Sequence, residues 1–143
     1  MSSLAPRFED LEVGDEAPVK TITLSRTDFV AYAGASGDLN PMHHDETVAT
    51  SAGMPSVFGH GMLSMGILAS AVTDWMGAGG LRRMKVRFSK QTWPGETVVT
   101  RVVAVAKREE GGRRLVDLEC VLANAEGERK VVGEATVELV GGT

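Results

Sequence analysis

The 143-residue chain has a single cysteine, Cys120, which excludes an internal disulfide and any site built from several thiolates. It has no excess of positive charge. Fifteen lysines and arginines against nineteen acids leave a formal net charge of −4, the wrong sign for a domain that holds nucleic-acid phosphates. It also has no long unbroken hydrophobic run. The most apolar stretch, 59–76, contains Ser64, Ser70, Thr73 and Asp74 and is too short and too polar to read as a membrane span. Residues 1–10 lack a cationic start followed by an apolar core, so no secretory signal is expected there and a cytoplasmic location is.

What remains is the makeup of a soluble globular protein, 43% apolar and 24% charged. No repeat, low-complexity tract or linker divides it, which predicts one domain over residues 1–143. A domain of that size buries roughly 68–70% of the surface its unfolded chain exposes, enough for a real core.

Hydrophobic periodicity places the elements. A first strand is predicted near Ala17–Leu24, after the Gly14-Asp15 turn. Ser25 or Thr27 can cap a helix whose apolar side is read as Phe29, Val30, Tyr32 and Ala33, with Gly34 and Gly37 ending it. Asp45 suits the cap of a short helix through Ala52, stopped by Gly53 and Pro55. From Met62 to Met76 nearly every side chain is apolar or small, the pattern of a central helix buried on all sides. The second half alternates with period two. Met84, Val86 and Phe88 form one such set, followed by Val98 to Ala104, Val116 to Leu122, and Val131 to Leu139. Cys120 falls in phase with the apolar set of its strand and reads as a plain buried thiol. Turns at Pro94-Gly95, Gly111-Gly112 and Glu126-Gly127 are short, so the sheet is antiparallel. One apolar helix and a curled antiparallel sheet give an α+β hot-dog arrangement, the sheet wrapped around the helix.

Residues 36–45, Ser-Gly-Asp-Leu-Asn-Pro-Met-His-His-Asp, carry the chemistry. Asp38 and His43 sit five apart with Pro41 between them, a spacing that helical stacking of side chains does not explain. A rigid loop holding one carboxylate and one group that titrates near neutrality points to proton transfer. His60-Gly61-Met62 then opens the long apolar helix, an end where the Gly61 N–H can hold a developing negative oxygen. Ser36 and Asn40 are candidate supports for the pair, although the same residue types make turns for local reasons. His60 is expected to fix the loop before Gly61 by hydrogen bonding, and His44 to face solvent. No metal is expected, because His43 and His44 are adjacent and His60 is remote, with no metalloenzyme spacing.

The string Tyr32-Ala33-x-x-Ser36-Gly37-Asp38-x-Asn40-Pro41-x-His43-x-Asp45, followed by His60-Gly61-Met62, resembles the signature of the MaoC-like (R)-specific enoyl-thioester hydratases. The opening Phe8-x-x-Leu11-x-Val13-Gly14-Asp15 is similar to the start of those domains, and the likeness is greatest to an actinobacterial dehydratase B-subunit type. The resemblance implies a hot-dog fold and reversible hydration of trans-2-enoyl thioesters, or dehydration of (3R)-hydroxyacyl thioesters, in fatty-acid-type metabolism. It implies Asp38 and His43 as the catalytic pair and the Gly61 N–H as the carbonyl-binding group, with no metal and no cofactor. It implies a coenzyme A or acyl-carrier-protein thioester as substrate, and a homodimer or a heterodimer with a related subunit. Ala69 stands where some relatives have a serine near the substrate. Acyl-chain length, the direction of reaction and the split of protons between Asp38 and His43 stay open. So do two other readings, a hot-dog thioesterase and a non-catalytic subunit. The basic run Arg82, Arg83, Lys85, Arg87 and Lys90 reads either as a solvated strand face or as a contact for coenzyme A phosphates or an acidic carrier.

Overall fold

The computed structural model describes residues 5–140; both ends of the expected 1–143 domain lie outside them. A short strand β1 (Thr21–Thr23) precedes helix α1 (Arg26–Ser36), a 3-10 turn (Pro41–His43), helix α2 (Glu46–Ser51) and helix α3 (Gly61–Met76). Strands β2 (Leu81–Phe88), β3 (Thr97–Glu110), β4 (Arg113–Asn124) and β5 (Arg129–Glu138) follow. All five strands join one antiparallel sheet in the order β1-β3-β4-β5-β2. Helix α3 packs against β2, β3, β4 and β5, so the sheet curls around it, as the period-two runs predict. No helix among the described residues is long and apolar enough to cross a membrane.

The core is aliphatic. Ile67, Leu68, Ala71, Val72 and Met76 of α3 meet Val98, Val102, Val116, Leu118, Leu122, Val131 and Val137 of the sheet. Cys120 is buried among them, and burial, with Glu119 adding to it, pushes its thiol up to about 12.

Several expectations are corrected. β1 is only three residues long and Glu16 makes a lone bridge to Val103, because Pro18 carries no N–H for a continuous ladder. Gly34 lies inside α1; Gly37 ends it, in the left-handed conformation with φ 79°. Val30 is exposed while Phe29, Tyr32 and Ala33 face inward, since a helix turns about 100° per residue and only spacings of three and four share a side. Helix α3 is not buried all round in one chain. Met62 and Gly66 face out and Met65 and Ala69 are half-covered, because the sheet wraps one side only. Phe88 continues the period of Met84 and Val86 but lies half exposed at the strand's end, its ring against Gly61.

One glycine is required by close approach. Gly133 on β5 pairs with Val86 on β2, and a Cβ there would fall 2.1 Å from the Lys85 carbonyl oxygen and 2.8 Å from the Val86 Cα. Both obstacles are backbone and cannot rotate away. Gly133→Ala is therefore expected to cost about 1–3 kcal/mol or more, read as a lower urea midpoint; a midpoint equal to the parent's would show that β2 can give way.

Candidate active site

The Asp38–His43 loop is fixed by its own polar residues. Ser36 Oγ accepts from the Asp38 N–H at 3.1 Å, and the Asn40 N–H donates to Asp38 Oδ1 at 3.3 Å. The Asn40 side chain caps the 3-10 turn, accepting from the Met42 N–H at 3.0 Å, with Pro41 at its first position. Asp45 caps α2 by accepting from Thr47 and Val48. Ser36 and Asn40 thus hold the loop through backbone groups and not through the imidazole.

His43 and His60 hold the two segments together. His43 Nδ1 lies 2.7 Å from the Phe58 carbonyl oxygen, and His60 Nε2 lies 3.0 Å from the Asp38 carbonyl oxygen. A carbonyl only accepts, so each nitrogen is the donor and carries the hydrogen. Each loop's histidine therefore donates to the other loop's backbone. The Phe58 N–H adds a bond to the Met42 carbonyl at 3.3 Å. The two rings stack with centroids 3.8 Å apart, and Tyr32 meets His60 edge-on at 4.7 Å. His60 is N-cap of α3, and it pins the Asp38 loop where sequence reasoning expected it to fix its own. His44 is exposed, as expected, with Nε2 on the Leu39 carbonyl at 3.2 Å.

In the neutral ring the acceptor is then His43 Nε2, which lies 4.0 Å from Asp38 Oδ2. That separation exceeds a hydrogen bond, so both groups are free to bind a third polar group between them. His43 is buried, whereas the Asp38 side chain is half exposed.

The start of α3 lies beside the pair. The N–H groups of Leu63 and Ser64 both go to the His60 carbonyl, leaving those of Gly61 and Met62 without an acceptor among the described residues. A cavity of about 320 Å³ opens there, walled by Phe58, Gly59, Gly61 and Ser64 on one side and by Phe88, residues 89–92, Lys130 and Val131 on the other. Neither Asp38 nor His43 forms part of its wall. Cavity and pair are linked through Phe58, whose carbonyl holds His43, and through Gly61, which follows the His60 that stacks on His43. Gly61 also makes room for the Phe88 ring, which a Cβ would meet at 3.2 Å.

Sequence reasoning missed four residues here. Phe58 acts through a carbonyl and has no sequence signal. Phe88 reads as an ordinary apolar strand residue. Lys130 is wholly buried and donates to the Gln91 carbonyl (2.9 Å), Glu96 Oε1 (2.9 Å) and Glu128 Oε1 (2.7 Å). Glu96 is partly buried, which alone would raise its pKa, but bonds from Asn124, the Trp93 N–H and Lys130 hold it below the usual carboxylate range. Ser64 is the fourth, and its signal was present: a hydroxyl three residues after Gly61 in an otherwise aliphatic run. Of the basic run, Arg82 pairs with Glu138 and Arg83 with Glu134; Lys85, Arg87 and Lys90 have no acidic partner among the described residues.

The sequence argument against a metal fails at one point. His60, remote in sequence, lies against His43, and ligating atoms of Asp38, His43 and His60 fall within 4.8 Å of one another. The remaining argument is geometric: the rings lie face to face, 27° from parallel, and each already commits one nitrogen to a backbone carbonyl. Dialysis against a chelator is expected to leave activity unchanged, and a loss restored by zinc would make this cluster a metal centre.

Residues 12–126 match the model of the MaoC like domain. The chain is 32% identical over 142 residues to 3-hydroxyacyl-thioester dehydratase Y of Mycobacterium tuberculosis, covering 96% of this chain and 46% of that protein. It thus spans about half of that relative. It is 30% identical over 132 residues to the (R)-specific enoyl-CoA hydratase of Rhodospirillum rubrum, covering 91% of this chain and 89% of that one. The solved R-hydratase PhaJ1 of Pseudomonas aeruginosa superposes with a TM-score of 0.83 at 24% identity, over 95% of this chain and 86% of the other, and this likeness bears on the hot-dog fold alone.

Proposed function

Because this chain belongs to the MaoC-like domain family, we propose that it is a hydro-lyase adding water reversibly to trans-2-enoyl thioesters, with Asp38 and His43 as the reacting pair. The observation that carries this reading is His43 itself: its Nδ1 donates to the Phe58 carbonyl, which turns Nε2 toward Asp38 Oδ2 at 4.0 Å.

The chemistry follows from that arrangement. A water held between the two groups gives one proton to His43 Nε2 as its oxygen bonds to C3. The electron pair of the C2–C3 double bond shifts to the thioester oxygen, where the Gly61 N–H receives the charge. The imidazolium returns its proton to C2 and is neutral again. Asp38, acceptor-only when ionised, holds the second hydrogen of the water. Dehydration of a (3R)-hydroxyacyl thioester runs the same steps backwards. Lys85, Arg87 and Lys90, lacking acidic partners near the cavity's Phe88–Thr92 wall, suit the phosphates of coenzyme A or of a carrier protein's arm.

The outward side of α3, with Met62 exposed and Gly66 bare, supports a dimer with a second copy or a related hot-dog subunit. Light scattering on the purified chain is expected to give twice the mass of one chain; an active monomer would refute that expectation.

The activity itself is tested on crotonyl-CoA. Asp38→Asn and His43→Gln are each expected to slow hydration by about 10²–10⁴-fold with folding intact. Variants as fast as the parent would remove the pair from the mechanism. Release of free thiol in place of lost enoyl absorbance would make the protein a thioesterase. Activity that appears only with an added subunit would make this chain a non-catalytic partner.

A further inference from the structure

Ser64 lies on the same side of α3 as Gly61, since residues three apart on a helix are neighbours. It is 5% exposed, and its hydroxyl has no hydrogen-bond partner among the described residues. A serine inside a helix ordinarily satisfies its hydroxyl on a carbonyl of the preceding turn. Ser70 does this, donating to the Ile67 carbonyl at 2.7 Å. The Ser64 hydroxyl bonds neither the Gly61 carbonyl three residues back nor the His60 carbonyl four back, and the latter already accepts from the N–H groups of Leu63 at 3.1 Å and Ser64 at 3.3 Å. The hydroxyl instead contributes to the wall of the cavity that Gly61 lines.

Ser64 is nearly buried and its hydroxyl, reached only from the cavity, has no protein partner there, whereas alanine would suit both the helix and an apolar wall better. A polar group kept there, one turn from an unsatisfied N–H at a helix start, has the chemistry of a donor to a ligand oxygen.

We propose that Ser64 is a second hydrogen-bond donor to the thioester carbonyl oxygen, acting beside the Gly61 N–H, and is thereby a catalytic residue. The proposal rests on the hydratase reading above. As the water oxygen bonds to C3, charge moves onto the carbonyl oxygen and both donors strengthen their hold. Ser64 keeps its proton throughout, so nothing is transferred through it.

The test compares the parent and Ser64→Ala in two measurements. In crotonyl-CoA hydration, the variant is expected to lose about 10²-fold in kcat, the scale of one oxyanion donor. Its melting temperature should be unchanged or higher, because alanine favours helix. Isotope-edited infrared spectra of bound butyryl-CoA, which has no double bond to hydrate, should show the carbonyl band closer to its free position in the variant. A kcat within twofold of the parent overturns the proposal. So does a fall in kcat with the carbonyl band unmoved, which would make Ser64 a packing residue. Should the parent not hydrate crotonyl-CoA at all, the hydratase reading fails on its own account, and the infrared comparison still decides whether Ser64 touches the carbonyl.

Discussion

The site depends on an exchange of hydrogen bonds between two histidines and two backbone carbonyls. His43 donates to Phe58, two residues before His60, and His60 donates to Asp38, five residues before His43. Neither loop has a regular ladder to hold it, and Asp38 itself is exposed. The crossed bonds and the ring stacking substitute for that ladder. They also decide the chemistry, because each carbonyl dictates where the imidazole hydrogen sits. In the proposed reaction, one contact therefore sets where the accepting nitrogen sits and which ring nitrogen that is. The cost to His60 is a buried Nδ1 with no partner among the described residues.

Helix α3 joins this constraint to the sheet. Its inward residues are held by the aliphatic core, so its first turn is rigid, and its free N–H groups are presented at a fixed place. The opposite wall of the cavity is the connection between β2 and β3, and it is anchored from two directions. The Ser89 N–H bonds the Lys130 carbonyl at 2.9 Å while Lys130 Nζ returns to the Gln91 carbonyl. The Gly59 N–H bonds the Thr92 carbonyl at 2.8 Å, directly before His60. A disturbance at Lys130 thus reaches the start of α3 through four residues of backbone.

What could be read in the sequence divides along the same line between local and tertiary causes. Ser25 and Asp45 as caps, Gly37 as a helix stop and the paired strands were legible, because capping and turn chemistry act within a few residues. The period-two runs gave the antiparallel sheet for the same reason. Asp38 and His43 stood out by spacing, and the motif they belong to indicated the family. The proximity of His60 to His43 was not legible, since seventeen residues separate them and only the fold closes that distance. The burial of Lys130 was equally hidden. It is out of phase with Val131 and Ala135, so its charge should face water, and only the acids at 96 and 128 make an interior position tolerable. The open side of α3 was misread because apolarity reports that a face is covered, not that its own chain covers it.

That last point bears on how the parts of the site are divided. In one chain, neither Asp38 nor His43 lines the cavity, which is linked to His43 through Phe58, and Phe88 lies against Gly61 while half exposed. An aromatic ring half in water against Gly61, with Met62 exposed one residue further along α3, is unfavourable unless something apolar covers them. A second hot-dog subunit laid against the start of α3 would supply that cover and would exclude water from the Gly61 N–H. Hydrogen bonds to a developing oxyanion strengthen as the local dielectric falls. The same contact that buries the apolar side of the helix would then make its first turn an effective donor, so that assembly and the proposed catalysis would have one physical cause.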